Sequence, residues 1–379
     1  TSEPQVGDLS YFRVFGGRIT NGLTLLNPQH SENERIAHLA IPQGAQRLDV
    51  DSLSPGDIGV VAKLRDTHTG DTLCATNNKL VLESVMWPST DISLAVTAQT
   101  RGDEDKIGTG LAKLHEEDPT FTSGYDPERS QTIIRGLGEI HLNISLEKLT
   151  RKYGVNVETH APRIAYRETI TKLAEGRGRH KKQSGGRGQF GDCHVRLSPL
   201  GRGKGYEFVS SIKGGVIPTK FIPAVNKGIN SASTKGVLAG YPLVDFRAEC
   251  YDGSHHSVDS SEIAFQIAGS VAFRKVALNA KPVILEPIME VEVETPEEFM
   301  GEVMGDLNQR RGRVLGMDSK GARQVVKALV PQSELYKYSA ALRSFTHGKA
   351  MHTRELASYE QAPPHIQEKV IAESKARED

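Results

Sequence analysis

Cysteine is scarce in this 379-residue sequence: Cys74, Cys193 and Cys250 are widely separated and form no Cys-x-x-Cys pair. That spacing excludes a disulfide framework and a zinc ribbon, and it fits a reducing, cytoplasmic setting. No signal peptide is present, nor any run of about 18 apolar residues that could span a bilayer as a helix. The phosphate-gripping pattern Gly-x-x-x-x-Gly-Lys-[Ser/Thr] is also missing, so this chain is not expected to bind GTP or to be an enzyme by itself. Met is absent from position 1. The chain opens at Thr1 in strand-like sequence and reads as a piece of a longer protein.

A net charge is missing as well, but 47 basic and 47 acidic residues do not balance locally. Residues 165–282 hold 18 Lys/Arg against 9 Asp/Glu, which leaves 29 against 38 for the remainder. One basic module that meets a polyanion, carried by modules with other work, is the expectation. Its centre is the run Gly176-Arg-Gly-Arg-His-Lys-Lys-Gln-Ser-Gly-Gly-Arg-Gly-Gln-Phe-Gly191, with Arg177, Arg179, Lys181, Lys182 and Arg187 and no acid. Glycine brings no side chain and lets another backbone come close, and Arg presents a planar fork that suits phosphate. Nucleic acid is the natural partner. Residues 186–191 also spell Gly-x-Gly-x-x-Gly, but alternation in Asp192–Leu197 predicts a strand where the dinucleotide motif needs a helix.

Periodicity gives a multi-domain α+β chain. Residues 1–86 show short alternating runs at Leu9–Val14, Leu23–Leu26, Ile58–Leu64 and Leu80–Val85, cut by glycine turns, and predict an N-terminal antiparallel β-barrel or sandwich. Residues 87–164 read β-α-β-β-α-β, a ferredoxin-like order, with Ile107, Leu111 and Leu114 on one helix and Leu142, Leu146 and Leu149 on the other. The same order returns in 283–379, followed by a C-terminal helix from Pro363. There Thr295-Pro-Glu-Glu298 predicts a capping box ahead of the apolar positions Phe299, Met300, Val303, Met304 and Leu307. Between them, 165–282 is a basic α+β domain with split βαβ character. Pro223 opens one helix, and Ser260 or Ser261 caps another containing Ile263, Ile267, Val271 and Val276.

The loop Asp252-Gly-Ser-His-His-Ser-Val-Asp-Ser-Ser-Glu262 carries two His and two Asp. Adjacent His side chains diverge on an extended backbone and the spacing fits no closed zinc site, so no metal is expected. An RNA-contacting tip is the sharper reading, and a polar loop feeding a capped helix the plainer one.

Several stretches together resemble the C-terminal four domains of elongation factor G, a translational GTPase. They are Thr69-Gly-Asp-Thr-Leu73, Gly136-Leu-Gly-Glu-Ile-His-Leu142, Gln183–Gly191, Gly214-Gly-Val-Ile-Pro218, Asp252–Glu262, and Met304-Gly-Asp-Leu-Asn308 with Arg310-Arg-Gly-Arg313, in the family's order. The resemblance implies domains II-like (1–86), III-like (87–164), IV-like (165–282) and V-like (283–379). It implies a monomeric, cytoplasmic, ribosome-binding body whose partners are ribosomal RNA and proteins, its own GTPase domain, and transfer and messenger RNA in the A site of the small ribosomal subunit. GTP and Mg²⁺ belong on this reading to the GTPase domain alone. RNA-facing residues carried over are Lys181, Lys182, Ser184, Gly185, Gly186, Arg187, Gly188, His255, His256 and Asp259, with Arg310, Arg311 and Arg313 in the last domain. Promotion of translocation is the expected function. Ser257, and Lys349-Ala-Met-His352, depart from the family pattern and keep open a paralogue for ribosome recycling or rescue. A free-standing enzyme using His255, His256 and Asp259 is the alternative of another class.

Overall fold

The computed structural model describes residues 1–3, 7–44, 46–88, 90, 92–183 and 188–378. The chain divides into two compact units, Thr1–Arg163 and Ile164–Asp379.

In the first unit short strands come first: β1 (Ser2–Glu3), β2 (Gly7–Arg13), β3 (Ile19–Thr20), β4 (Thr24–Asn27), β5 (Glu32–Arg35), β6 (Ala40–Gln43), β7 (Gln46–Asp49), β8 (Ser52–Leu53) and β9 (Ile58–Ala62). Gly22 and Gly56 hold φ of 82° and 99°, left-handed values that only glycine adopts without strain, and they cut the runs short. Five strands form a sheet in the order β1-β2-β9-β6-β7, while β3–β8 and β4–β5 make separate ladders. Their inward residues, among them Leu25, Ile36, Leu39 and Leu53, share one core. The expected barrel is not closed: among the described residues no ladder joins the two ends of the sheet. Leu80–Val85 forms no strand either. An alternating pattern becomes a strand only beside a partner that takes its N–H and C=O groups, and here Leu82 N–H donates to the Thr72 hydroxyl at 3.1 Å instead.

The same unit continues with β10 (Ile92–Ala98), α1 (Arg101–Glu117), β11 (Thr122–Asp126), β12 (Gln131–Gly136), α2 (Glu139–Tyr153) and β13 (Val157–His160). The antiparallel sheet runs β11-β12-β10-β13, the ferredoxin-like arrangement. Leu111 and Leu114 of α1 and Leu142 and Leu149 of α2 are buried against Val96 and Ile134 of the sheet. Gly154, at φ 65°, ends α2 in the left-handed conformation.

A histidine ties α1 to the strand region. His68 Nδ1 lies 2.6 Å from a Glu116 carboxylate oxygen, and the Thr69 hydroxyl donates to Glu116 O at 2.9 Å. The Glu116 hydrogen bond holds the His68 pKa above the ordinary 6.5, against partial burial, with Asp71 and Asp66 helping. A raised histidine contributes stability that is complete below its unfolded value and is lost as pH rises through the folded one. An NMR titration should therefore find His68 titrating above 6.5 and Glu116→Gln returning it towards the ordinary value. The unit should lose stability over that pH window in wild type but not in the variant.

The second unit contains two sheets. β15 (Ala174–Lys182), β16 (Gln189–Pro199), β17 (Tyr206–Ser210), α3 (Ile222–Ser233), β18 (Phe246–Ser254) and α4 (Glu262–Asn279) follow β14 (Arg167–Ile170). The sheet order is β15-β16-β18-β17, antiparallel except for the β17–β18 pair, which α3 connects as a parallel crossover. Pro223 sits in the first turn of α3, where its missing N–H costs nothing. Of the two candidate caps, Ser261 is the N-cap of α4 and accepts from Ala264 N–H at 3.2 Å. The structure sets the inner face of α4. Phe265, Ala268, Ala272, Phe273 and Val276 are its buried residues, while Ile263 and Val271 are exposed. Two phenylalanines and a run of alanines let the helix lie closer to the sheet than an Ile/Val stripe would.

The second sheet is built on β19 (Pro282–Pro296), with α5 (Met300–Gln309), β20 (Arg313–Lys320), β21 (Arg323–Pro331), α6 (Tyr338–Phe345), β22 (Met351–Gln361) and α7 (Pro364–Glu378). Strands β20, β21, β19 and β22 repeat the ferredoxin-like order, and β14 pairs with the first residues of β19. The capping box at Thr295 does not form. Thr295 stays in β19 opposite Gln324 with its side chain buried, and Glu298 pairs with Lys349 at 2.7 Å.

Candidate nucleic-acid interface

Strand register fixes where the polar loops meet. β15 and β16 form a hairpin in which Lys182 is opposite Gln189, and Asp192 near the start of β16 is opposite Ser254 at the end of β18. The Lys182–Gln189 end of the hairpin and the exit of β18 therefore lie at one end of the sheet, and α4 begins there.

Phe190 interlocks the two loops. Its N–H donates to Asp259 O at 2.9 Å and its carbonyl accepts from the Ser260 hydroxyl at 2.9 Å. Gly188 N–H donates to the Asp259 carboxylate at 3.1 Å, and a Cβ on Gly188 would meet that carboxylate at 2.9 Å. Arg179 lies over one side of the Phe190 ring, 5.6 Å from its centre, and the His256 ring packs 6.3 Å away. Asp259 is thus a brace of the tip rather than an outward acid.

The two histidines have different duties. His255 Nδ1 donates to Val216 O at 3.1 Å, which pins the loop after Gly214 and Gly215 to the same end. His256 Nδ1 faces the N–H groups of Val258 and Asp259 at 3.3 and 3.2 Å, and the exposed ring keeps its other nitrogen outside these bonds. With Nδ1 as acceptor, a neutral imidazole carries its proton on Nε2 and offers a donor from the tip. Neither arrangement is a nucleophile–base–orienter set: among the described residues these side chains brace loops.

The cations divide in the same way. Arg177 holds the buried Asp192 carboxylate with both arms, at 2.8 and 2.5 Å, beside the Ser254 hydroxyl at 2.8 Å. Burial alone would raise the Asp192 carboxyl, but the Arg177 fork and the Ser254 hydroxyl outweigh it and keep it below the usual carboxylate range. Lys181 and Lys182 are exposed at the end of β15, and no described carboxylate pairs with either. Ser184, Gly185, Gly186 and Arg187 lie outside the described residues.

Arg310, Arg311 and Arg313 lie at the α5–β20 turn, not on the tip's sheet. Arg310 is bonded to Asp306 at 2.8 Å and to Glu334 O at 2.7 Å, and Arg311 is bonded to the buried Glu286. Arg313 remains mostly exposed, 3.9 Å from Glu360. Sequence reasoning missed Phe190 as the link between the loops. Its place as the one phenylalanine in the basic run was the available signal.

Glycines of the basic run serve the fold. On Gly178 a Cβ would fall closer than 3.0 Å to backbone atoms of Ala268 and Ala272, and on Gly191 to those of Ala264 and Phe265. Their close backbone partner is α4.

Four family models match in succession: "Elongation factor G domain 2" over 1–76, "Elongation Factor G, domain III" over 87–161, "Elongation factor G, domain IV" over 162–281 and "Elongation factor G C-terminus" over 283–370. A relative described as elongation factor G from Aquifex pyrophilus is 46% identical over 377 residues, which is 99% of this chain and 54% of that protein. A solved structure from Thermus thermophilus superposes with a TM-score of 0.87 at 40% identity, covering 99% of this chain and 56% of that one. The chain spans about half the length of these relatives, and the GTPase domain is absent from it.

Proposed function

The chain belongs to the elongation factor G family, whose role is in translation elongation, and on that premise we propose that it is the ribosome-binding body of a translocation factor. The interlocked loops 188–190 and 255–260 form the end that meets the transfer–messenger RNA duplex in the A site of the small ribosomal subunit. GTP hydrolysis belongs to a GTPase domain of the parent protein outside these residues. The observation that carries the reading is the division of labour at the tip. Asp259, Ser260 and Phe190 tie the loops together, which leaves His256 Nε2, Lys181 and Lys182 facing outward.

Preformed loops bind without the ordering cost of mobile ones. The imidazole can donate to a 2′-hydroxyl or stack on a base, and the lysines act on phosphates through counterion release. In the full-length factor His256→Ala should slow translocation of messenger and transfer RNA while leaving ribosome-independent folding unchanged. The Lys181→Ala/Lys182→Ala pair should weaken ribosome binding and flatten its salt dependence by about one log–log unit per lysine. Translocation at the wild-type rate in His256→Ala, measured by stopped flow, would remove the tip from the mechanism.

A further inference from the structure

α4 is apolar on two faces, and the described residues cover only one. Ala264, Phe265, Ala268, Ala272, Phe273 and Val276 fill the core. On the other side Ile263, Ile267, Val271 and Leu278 follow one another at helical spacing, with Ile263 66% and Leu278 55% exposed. A helix with apolar residues all round is normally covered all round.

This second stripe borders a groove of about 350 Å³ between α3 and α4. Gly228 and Gly269 let the two helices cross with their backbones touching: a Cβ on either would meet carbonyl atoms of Gln266 or Val225. The groove's walls are Ile263, Ile267 and Val271 along α4, and its charged residues are Lys235 and Arg274. Lys227 and Lys275 stand on the same two helices. Glu262 is the one acidic residue in α3 and α4. None of the four cations has a carboxylate partner among the described residues.

We propose that this groove docks an acidic amphipathic helix of a protein partner, its apolar side chains on the Ile263–Ile267–Val271 wall and its carboxylates on Lys235 and Arg274. Recognition of a helix by a groove takes apolar anchors at successive turns, which the stripe supplies. Single-stranded RNA is held by stacking on aromatic rings together with a basic track, and the groove lining contains no aromatic residue. The unpaired cations set the sign of the partner's charge.

The test uses the full chain and three fluorescein-labelled probes. One is an 18-residue synthetic helix with Leu at i, i+3, i+4 and i+7 and Glu on its flanks; one is the same composition scrambled; one is a single-stranded RNA. Anisotropy titrations should show the ordered peptide binding at least tenfold tighter than the scrambled one. Val271→Asp and Arg274→Glu, both at exposed positions and checked for unchanged circular dichroism, should each weaken the ordered peptide at least tenfold, and His256→Ala should not. Equal binding of ordered and scrambled peptides, or indifference of the ordered peptide to both groove variants, overturns the proposal. So does a result in which the groove variants weaken binding of the single-stranded RNA and spare the peptide.

Discussion

Glu168→Ala is expected to cost the second unit several kcal/mol, because four backbone donors lose their acceptor and each buried donor left unmet costs about 1–3 kcal/mol. Glu168 is fully buried at the start of β14. Its carboxylate accepts backbone N–H groups from Val237 at 2.6 Å, Leu238 at 3.0 Å, Ala239 at 2.8 Å and Tyr241 at 3.3 Å. One side chain therefore satisfies four donors of the segment between α3 and β18. That segment also packs Ala239 against Ile284 of β19 and Val370 of α7, so the clamp joins the tip's sheet to the second sheet. Glu168→Gln keeps the shape but turns an amide N–H₂ towards N–H donors, and should recover little of the loss. Burial pushes the Glu168 carboxyl up from its ordinary range, and the four N–H groups pull against that without cancelling it. By linkage, a raised carboxyl contributes most below its unfolded value and less as pH rises through the folded one. The gap between wild type and Ala should thus be wider in mild acid than at neutral pH. Urea unfolding followed by amide exchange at 237–241 reads the second unit. The single tryptophan, Trp87, lies in the first unit and should show an unshifted transition. Wild-type exchange at those four amides in Glu168→Ala would contradict the clamp.

Glu168 also marks the limit of what the sequence displays. Nothing in Arg167-Glu-Thr-Ile170 distinguishes a buried anion from a surface one, because its partners are backbone groups 69 to 73 residues away. Elements with a strong period were legible: the two β-α-β-β-α-β orders emerge from Leu111/Leu114, Leu142/Leu149 and Val303/Leu307, all buried where the pattern puts them. Readings that needed a partner's identity were not. Thr295 has the sequence context of a cap, yet pairing with β21 holds it in a strand. Leu80–Val85 alternates but pairs with no strand among the described residues. The inner face of α4 was not legible in the sequence, since an Ile/Val stripe and an Ala/Phe stripe both have helical spacing. At the tip, the sequence exposes the charge and the polar loops, but not that Arg177 neutralises Asp192, and in the last sheet it does not show that Arg310 and Arg311 are engaged by neighbouring carboxylates.

The glycines of the basic run separate two explanations that look alike in sequence, and substitution distinguishes them. If Gly178 is there for α4, Gly178→Ala should destabilise the second unit by about 3 kcal/mol, the upper end for overpacking, since the clash is with backbone that cannot rotate away. The added Cβ would sit 2.5 Å from Ala272 N and closer still to Ala268 O. Gly176, two residues earlier on the same face of β15, is the control. Its Cβ would meet only the Val276 side chain, at 3.0 Å, and a methyl group can yield by a few tenths of an ångström. Gly176→Ala should stay within about 1 kcal/mol of wild type, the small strain being offset by the backbone entropy that Gly gives up on folding. The consequence reaches the tip through connectivity. α4 begins directly after the loop that carries His256, with Ser261 as its cap, so lifting α4 off β15 shifts Asp259 and Ser260 relative to Gly188 and Phe190. Gly178→Ala should therefore lose amide-exchange protection at Gly188 and Phe190, whose N–H groups are bonded to Asp259, as well as in the core. Gly176→Ala should keep it. Equal stability and equal protection in the two variants would mean that α4 does not rest on Gly178, and that the glycines of the run are kept for an approach from outside the chain.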